Sequence, residues 1–142
     1  MEIKEPKINN TKNGISLNEN ALSVSLDEIN YPVFCFRYLH KDYDMEKCVA
    51  SDKRFPRGLI KKIEMVSKLS WDDIQLAHRR GTGTEKILRN SIKPSIPNEI
   101  TDDVTDFLSF HFSGRKGRII GFRDRYIFHV VYVDTKLTVY DH

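Results

Sequence analysis

The C-terminal third of the chain carries the pattern that most restricts the fold. Residues 107–112 alternate between two sets of side chains. Every second residue, Leu108, Phe110 and Phe112, is a large apolar one, which is the pattern of a strand with one buried face. A glycine-containing turn at 113–117 leads to a second strand-like stretch at 118–122, and a charged reversal then leads to a third at 126–134. These spacings predict an antiparallel meander, which a further strand at 137–141 would extend.

The first half of the chain has the patterns of one strand and two helices. Residues 31–39 are aromatic and partly alternating, which favours a strand buried on at least one face. From Leu59 the apolar residues recur at helical spacing, and Ser70 precedes a second helical segment at about 71–79. The order predicts an α+β fold, β-α-α-β-β-β with an optional last strand, in which both helices cover one face of the C-terminal antiparallel meander.

The length supports one domain, because a chain of 142 residues buries roughly two-thirds of its unfolded surface on folding. We expect this single α+β domain to span residues 31–142. Residues 1–30 are rich in Asn, Lys, Glu and Ser, which predicts an irregular and partly mobile N-terminal segment. Within it, Asn13-Gly14 is a turn signal between two short apolar pieces.

The composition disfavours several classes of protein. The N-terminus lacks the apolar stretch of a signal peptide, and no run approaches the ~20 apolar residues of a membrane span, so we expect a cytoplasmic protein. Cys35 and Cys48 lack the spacing of a zinc site, and no GxSxG motif or paired-carboxylate motif occurs. The sequence therefore predicts neither a metal nor a cofactor.

Basic residues are concentrated in three stretches, although the net charge is only +3. The densest stretch, SGRKGRIIGFRDR at 113–125, holds five cations and one acid, Asp124. Neighbouring cations repel one another, and a polyanion relieves that repulsion and releases its counterions. We therefore predict a nucleic-acid-binding surface made of Arg115, Lys116, Arg123, Arg125, Arg79 and Arg80. The alternative is that the glycines only form turns and the arginines only protect edge strands from aggregation.

Side chains suited to metal-free RNA cleavage lie near this stretch. The reaction needs a base for the 2′-hydroxyl, an acid for the 5′-oxygen and a cation for the charged phosphorane. Alternation places His111 on the opposite face from Phe110, beside the arginines, and Tyr140 and His142 follow on the closing segment. The candidate catalytic residues are His111, Arg118, Tyr140 and His142. His129, within the most apolar stretch, is predicted to be a core histidine, and an ordinary half-buried role is the alternative for the others.

The element order, with middle strands that read GRIIGFRDRYIFHVVYV, resembles the RelE/ParE-type toxin superfamily of small bacterial proteins. The resemblance covers roughly residues 31–142 and implies a toxin that cleaves ribosome-associated or free mRNA without a metal, or that poisons DNA gyrase. It also implies a cognate antitoxin that holds the toxin inactive. The basic residues of the family correspond by position to Arg115, Lys116, Arg118 and Arg123, and its late tyrosine or histidine corresponds to Tyr140 or His142. Relative to the family pattern, the first thirty residues are extra and the connector at 80–106 is long.

Three hypotheses for the function follow from these patterns. The leading one is an RNA-directed, metal-independent endoribonuclease of the toxin type, with RNA and an antitoxin as partners and no membrane. The second is a non-catalytic regulator or inhibitor, encoded by a phage or mobile element, that binds nucleic acid or a nucleoprotein through the basic strands. The third is an interaction protein that uses the aromatic segment at 31–39 or a sheet edge.

Overall fold

A computed structural model describes residues 7–9, 14–16, 29–79 and 83–142. In these parts of the chain the helices are α1 (Met45–Ala50), α2 (Arg54–Ser67) and α3 (Trp71–Arg79). The strands are β1 (Lys7–Asn9), β2 (Gly14–Ser16), β3 (Val33–Cys35), β4 (Thr84–Leu88), β5 (Asp106–Phe112), β6 (Gly117–Asp124) and β7 (Ile127–Asp134). β1 and β2 pair as a separate antiparallel sheet, in which Gly14 begins β2 and pairs with Asn9, and the other residue of the predicted turn, Asn13, lies outside the described residues.

The longer helices form where the sequence has apolar residues at helical spacing. α2 buries Leu59 against the sheet, and Pro56 occupies its first turn, where a helix needs no amide donor. α3 begins with a capping box: the Asp73 amide donates to Ser70 Oγ over 3.0 Å, and the Ser70 amide donates to the Asp73 carboxylate over 3.3 Å. α1 is a third, short helix, capped by Asp44, that the sequence pattern did not predict.

The main sheet has the strand order β3-β7-β6-β5-β4. β4, β5, β6 and β7 are antiparallel neighbours, so the predicted meander of β5, β6 and β7 is confirmed. β3 pairs with β7 in the parallel direction, which makes the sheet mixed. The predicted α+β class, with helices preceding the meander, is confirmed.

Both faces of the sheet are buried. The helices cover one face, and their shared core consists of Leu59, Val66, Trp71, Ile74, Phe110, Phe112, Ile119, Phe128, Val130 and Val133, together with Cys48. The connector at 92–105 and the C-terminal segment at 135–142 cover the second face, where the core consists of Ile87, Ile100, Phe107, Ile120, Phe122, Val131, Tyr132, Val139 and Tyr140. Because it is covered on both sides, β7 reads as a nearly continuous apolar run.

Three parts of the chain differ from the expectations. The aromatic segment at 31–39 supplies only the three strand residues of β3, because Tyr38 leaves the sheet and packs on the second face. The connector at 80–106 contains an edge strand, β4, paired with β5. The optional last strand at 137–141 is absent from the described sheet, because the chain crosses back over the second face, where the Lys93 amide donates to the Val139 carbonyl over 2.8 Å.

A bulge between β6 and β7 determines which side chains of β7 lie on the second face. Gly121 pairs with Val130 and Ile120 pairs with Tyr132, so Val131 is the extra residue. A Cβ atom at Gly121 would lie 1.9 Å from the His129 carbonyl oxygen, so only glycine fits at this crossing. As a result, the consecutive residues Val131 and Tyr132 both join the second core.

Candidate functional site

His111 and Arg118 face each other at one end of the β5–β6 pair. They are direct partners in the antiparallel register, and directly opposed side chains project on the same face of a sheet. Ser109 lies on that face too, whereas Phe110 and Phe112 pack under the helices. The predicted alternation is confirmed here, and His111 stands beside an arginine.

Arg118 is a buried cation with an unused donor. Only 6% of the residue is exposed. Its Nη1 donates to the backbone carbonyls of Arg115 and Gly117, whereas its Nε is buried and has no hydrogen-bond partner among the described residues. Asp134 is its register partner on β7, but among the described residues no ion pair joins the two side chains, and the carboxylate accepts two backbone amides instead. A buried guanidinium is costly without an anion, so this position favours an anionic ligand.

Tyr140, Glu85 and Ser109 complete this group. The Tyr140 hydroxyl lies 2.8 Å from Glu85 Oε2 and 3.1 Å from Ser109 Oγ, so it donates to the carboxylate and accepts from the serine. His111 Nε2 lies 3.7 Å from the same Glu85 oxygen, which is too long for a hydrogen bond but short enough for charge attraction. We call Glu85, Ser109, His111, Arg118 and Tyr140 the polar cluster.

The C-terminal segment holds Tyr140 in the polar cluster. The fully buried Asp134 carboxylate accepts hydrogen bonds from the amides of Lys136, over 3.1 Å, and Val139, over 2.9 Å. The exposed His142 packs its ring against that of Tyr140, with 4.4 Å between the ring centres. All four predicted catalytic residues therefore lie at this end of the sheet, although the segment that carries the last two is not a strand.

Burial determines the protonation of the polar cluster. The pKa of His111 is lowered, first because burial disfavours the charged ring and second because Arg118 is positive, while Glu85 acts in the opposite direction. Burial raises the pKa of the Tyr140 hydroxyl. At neutral pH His111 is therefore uncharged and Tyr140 keeps its proton. Neither ring nitrogen of His111 has a hydrogen-bond partner in the described chain, so a ring nitrogen is available to accept a proton.

Arg123 and Arg125 lie at the other end of β6. Arg123 is five residues beyond Arg118, roughly 17 Å along a strand, and its guanidinium lies 4.4 Å from the ring centre of Trp71 on the helix-covered face. Arg125 is in the β6–β7 turn, with its Nε 3.7 Å from Asp124. The expectation that the five cations of 113–125 share one surface is therefore wrong, because the length and pleat of β6 separate them.

Arg115 and Lys116 remain beside the polar cluster. Both are exposed in the β5–β6 turn, and the positive charge of Arg115 contributes to the lowered pKa of His111. Arg79 is the last residue of α3 and Arg80 lies outside the described residues, so neither is placed against the cluster. Two of the six predicted binding residues thus join the predicted catalytic group.

Two cavities beside the sheet lie away from the polar cluster. One, of about 520 Å³, is lined in part by His129, whose ring stacks on Phe122 at 4.8 Å and meets Tyr38 at 5.4 Å. His129 is therefore half-buried between aromatic rings and belongs to neither core, and burial lowers its pKa. The other, of about 480 Å³, lies between α3 and the sheet beside Trp71 and Arg123. Neither cavity is lined by a polar-cluster residue, so the cluster is a buried network rather than a large pocket.

Three residues that build the site were not predicted from the sequence. Ser109 could have been predicted from the alternation that identified His111, because residues two apart in β5 lie on the same face of the sheet. Asp134 is the acid that ends the apolar run of β7, which is a usable signal for a capping role. Glu85 carries no local signal, since only the pairing of β4 with β5 brings it to the cluster.

Comparison with known proteins returns no relative. No family model matches the chain, and there is no significant match among curated proteins or solved structures. The resemblance to the RelE/ParE superfamily therefore stays a prediction from the sequence. In the described part of the chain, no helix combines the length and the hydrophobicity that crossing a bilayer requires.

Proposed function

We propose that the chain is a toxin-type, metal-independent endoribonuclease whose reaction takes place at the polar cluster. The proposal rests on one observation: a buried guanidinium with an unpaired Nε, that of Arg118, lies directly opposite an imidazole with unpaired nitrogens, that of His111. An RNA phosphodiester supplies an anion for the arginine, and its adjacent 2′-hydroxyl supplies a proton for the histidine.

Each residue then has a defined role. His111, kept neutral by its lowered pKa, accepts the proton of the 2′-hydroxyl, and that oxygen attacks the adjacent phosphorus. Arg118 donates hydrogen bonds to the charged phosphorane. His142 donates a proton to the 5′-oxygen as the P–O5′ bond breaks, which leaves a 2′,3′-cyclic phosphate and a 5′-hydroxyl. Tyr140 is a positioning residue, because its hydroxyl orients the Glu85 carboxylate that attracts the protonated imidazole.

A non-catalytic nucleic-acid-binding regulator or inhibitor is the second candidate, and the burial of the cluster favours it. Tyr140 is 4% exposed, Arg118 is 6% exposed, and both ring nitrogens of His111 are out of contact with solvent. Cleavage therefore requires the C-terminal segment to shift when RNA binds. Simple binding through the exposed Arg115 and Lys116 requires no such movement.

The fate of a labelled single-stranded RNA, incubated with purified protein in EDTA, separates the two candidates. His111→Gln is expected to slow cleavage by about 10²–10⁴-fold, because it removes the proton acceptor. Arg118→Lys is expected to slow it by about 10²-fold, because lysine lacks the planar fork that matches a phosphoryl group. His40→Gln is the matched control, since His40 bonds to Ser95 outside the polar cluster and its loss leaves the chemistry unchanged.

The outcomes distinguish the candidates cleanly when circular dichroism shows that the variants are folded. RNA that is bound for hours and remains intact supports the regulator. Cleavage that neither His111→Gln nor His40→Gln changes would assign the activity to a contaminant or to another site. Cleavage lost in His111→Gln alone supports the endoribonuclease.

The toxin class and its antitoxin partner are tested in cells. Expression of the chain is expected to arrest growth, and Arg118→Ala or His142→Ala is expected to relieve the arrest without loss of soluble protein. Co-expression of a small protein encoded next to this chain, as an antitoxin would be, is expected to restore growth. Normal growth with abundant folded wild-type protein would contradict the toxin class.

A further inference from the structure

The outer side of α2 carries a row of like charges. Lys53, Arg57 and Lys61 are spaced four residues apart, and Lys53 has helical backbone angles, so the three side chains lie above one another along about 12 Å. All three are exposed, and none has an ion-pair partner among the described residues. Like charges at this spacing repel one another, so the row gains from an anionic partner.

The β5–β6 turn packs on the beginning of this helix. Ser113 Oγ donates to the Arg54 carbonyl over 3.4 Å. Gly58 faces the same serine so closely that a Cβ atom on it would lie 2.0 Å from Ser113 Oγ. Beneath them, the ring of Phe55 meets that of Phe112 edge to face, with 6.0 Å between centres. The turn is therefore fixed against the first turns of α2.

This contact joins two basic stretches that are far apart in the sequence. Lys116 shares a cleft of about 230 Å³ with Arg54. The cleft also contains Asp52, whose pKa is lowered first by its hydrogen bonds to Arg54 and in part by the charge of Lys116. Asp52 is the only acid in residues 51–62 and 113–117. The cations brought together, which we name the basic surface, are Lys53, Arg54, Arg57, Lys61, Arg115 and Lys116.

We infer that the basic surface binds the phosphate backbone of single-stranded RNA and leads the strand to the polar cluster; its direction toward the cluster rests on the proposed function, whereas the binding does not. The turn that carries Arg115 and Lys116 connects the strands of His111 and Arg118, so a backbone held there lies beside the end of the sheet that carries the cluster. A single strand is a flexible polyanion, so its phosphates are able to contact the cations of α2 and those of the turn together.

The test measures how binding depends on salt, using 2′-O-methyl RNA, which lacks the hydroxyl needed for cleavage. Arg57→Gln/Lys61→Gln/Lys116→Gln is compared with a control of equal charge change, Lys41→Gln/Lys47→Gln/Lys136→Gln, at exposed positions outside the basic surface. Each phosphate contact on a single strand contributes about 0.7 to the slope of log K against log salt. Loss of three contacts is therefore expected to reduce the slope by about 2, while the control retains the wild-type slope.

Each outcome has one reading. A slope that falls only in the first variant supports the basic surface, and equal slopes in both variants would overturn it. Anionic phosphatidylserine vesicles are a parallel probe: if the first variant loses vesicle binding and keeps its RNA slope, the surface is a membrane site and the inference fails. Absence of cleavage of ordinary RNA by the wild type would contradict the proposed function without affecting this result, since 2′-O-methyl RNA reports binding alone.

Discussion

Replacing Asp134 by alanine tests how the C-terminal segment is held over the sheet. The carboxylate is fully buried, and it accepts the amides of Lys136 and Val139 over 3.1 and 2.9 Å. A hydrogen bond to a charged group contributes about 1.5–3 kcal/mol, and alanine removes two of them. It also removes the desolvation cost of a buried carboxylate, so we expect a net loss of about 2–3 kcal/mol in the free energy of unfolding.

A loss of this size corresponds to a fall of roughly 6–10 °C in the melting temperature of a chain of this length. Thermal unfolding followed by circular dichroism measures the fall, and hydrogen exchange of residues 135–142 locates it. Asp134→Asn keeps one acceptor oxygen and is expected to lose about half as much. Because the segment carries Tyr140 and His142, Asp134→Ala is also expected to lose RNA cleavage under conditions where the sheet remains folded.

A melting temperature within about 2 °C of the wild type, with unchanged exchange in residues 135–142, would contradict a stabilising role for the two Asp134 hydrogen bonds. It would mean that apolar contacts alone hold the segment. Faster exchange confined to the segment, with β5, β6 and β7 still protected, would show that it opens as a separate unit, as the proposed reaction requires.

Three further predictions concern stability. Tyr140→Phe leaves the buried Ser109 hydroxyl without its partner and is expected to cost about 1–2 kcal/mol in urea unfolding, and an unchanged midpoint would contradict the hydrogen bond. Gly121→Ala places a Cβ atom 1.9 Å from the His129 carbonyl and is expected to cost about 3 kcal/mol or more, and wild-type stability would show that the bulge is absent. The pKa values of His111 and His129 are lowered in the folded state, so the unfolded chain binds protons at a higher pH than the folded chain does. The free energy of unfolding is therefore highest above about pH 6.5, the ordinary pKa of histidine, and declines as the pH falls through the lowered values. His129→Phe is expected to flatten that decline between pH 7 and 5, and an unchanged decline would contradict the burial of this histidine.

The sequence predicted correctly those features that depend on residues close together in the chain, such as strand alternation and helix capping. The strict alternation around His111 placed it opposite the phenylalanines, and the Ser70–Asp73 box marked the start of α3. The sequence also contained a signal that separates two of the cations. Arg118 and Arg123 are five residues apart, an odd number, so in one strand they must face opposite sides of the sheet.

The remaining features depend on contacts between residues distant in the sequence. Glu85 joins the polar cluster only because β4 pairs with β5, and the alternation within TEKIL does not specify a partner strand. Tyr140 joins because the buried Asp134 turns the chain back over the sheet instead of into a last strand. Likewise, Gly58 leaves room for the turn at Ser113, and this packing brings together two basic stretches that are distant in the sequence.

The chemical nature of the RNA ends shows whether the 2′-hydroxyl attacks the phosphorus in the proposed reaction. Wild-type protein in EDTA is expected to produce 2′,3′-cyclic phosphate and 5′-hydroxyl ends, identified by mass spectrometry. His111→Gln is expected to produce neither while binding RNA normally, and His40→Gln is expected to behave as the wild type. Intact RNA, or ends with a 3′-hydroxyl and a 5′-phosphate, would contradict proton transfer by His111 from an attacking 2′-hydroxyl.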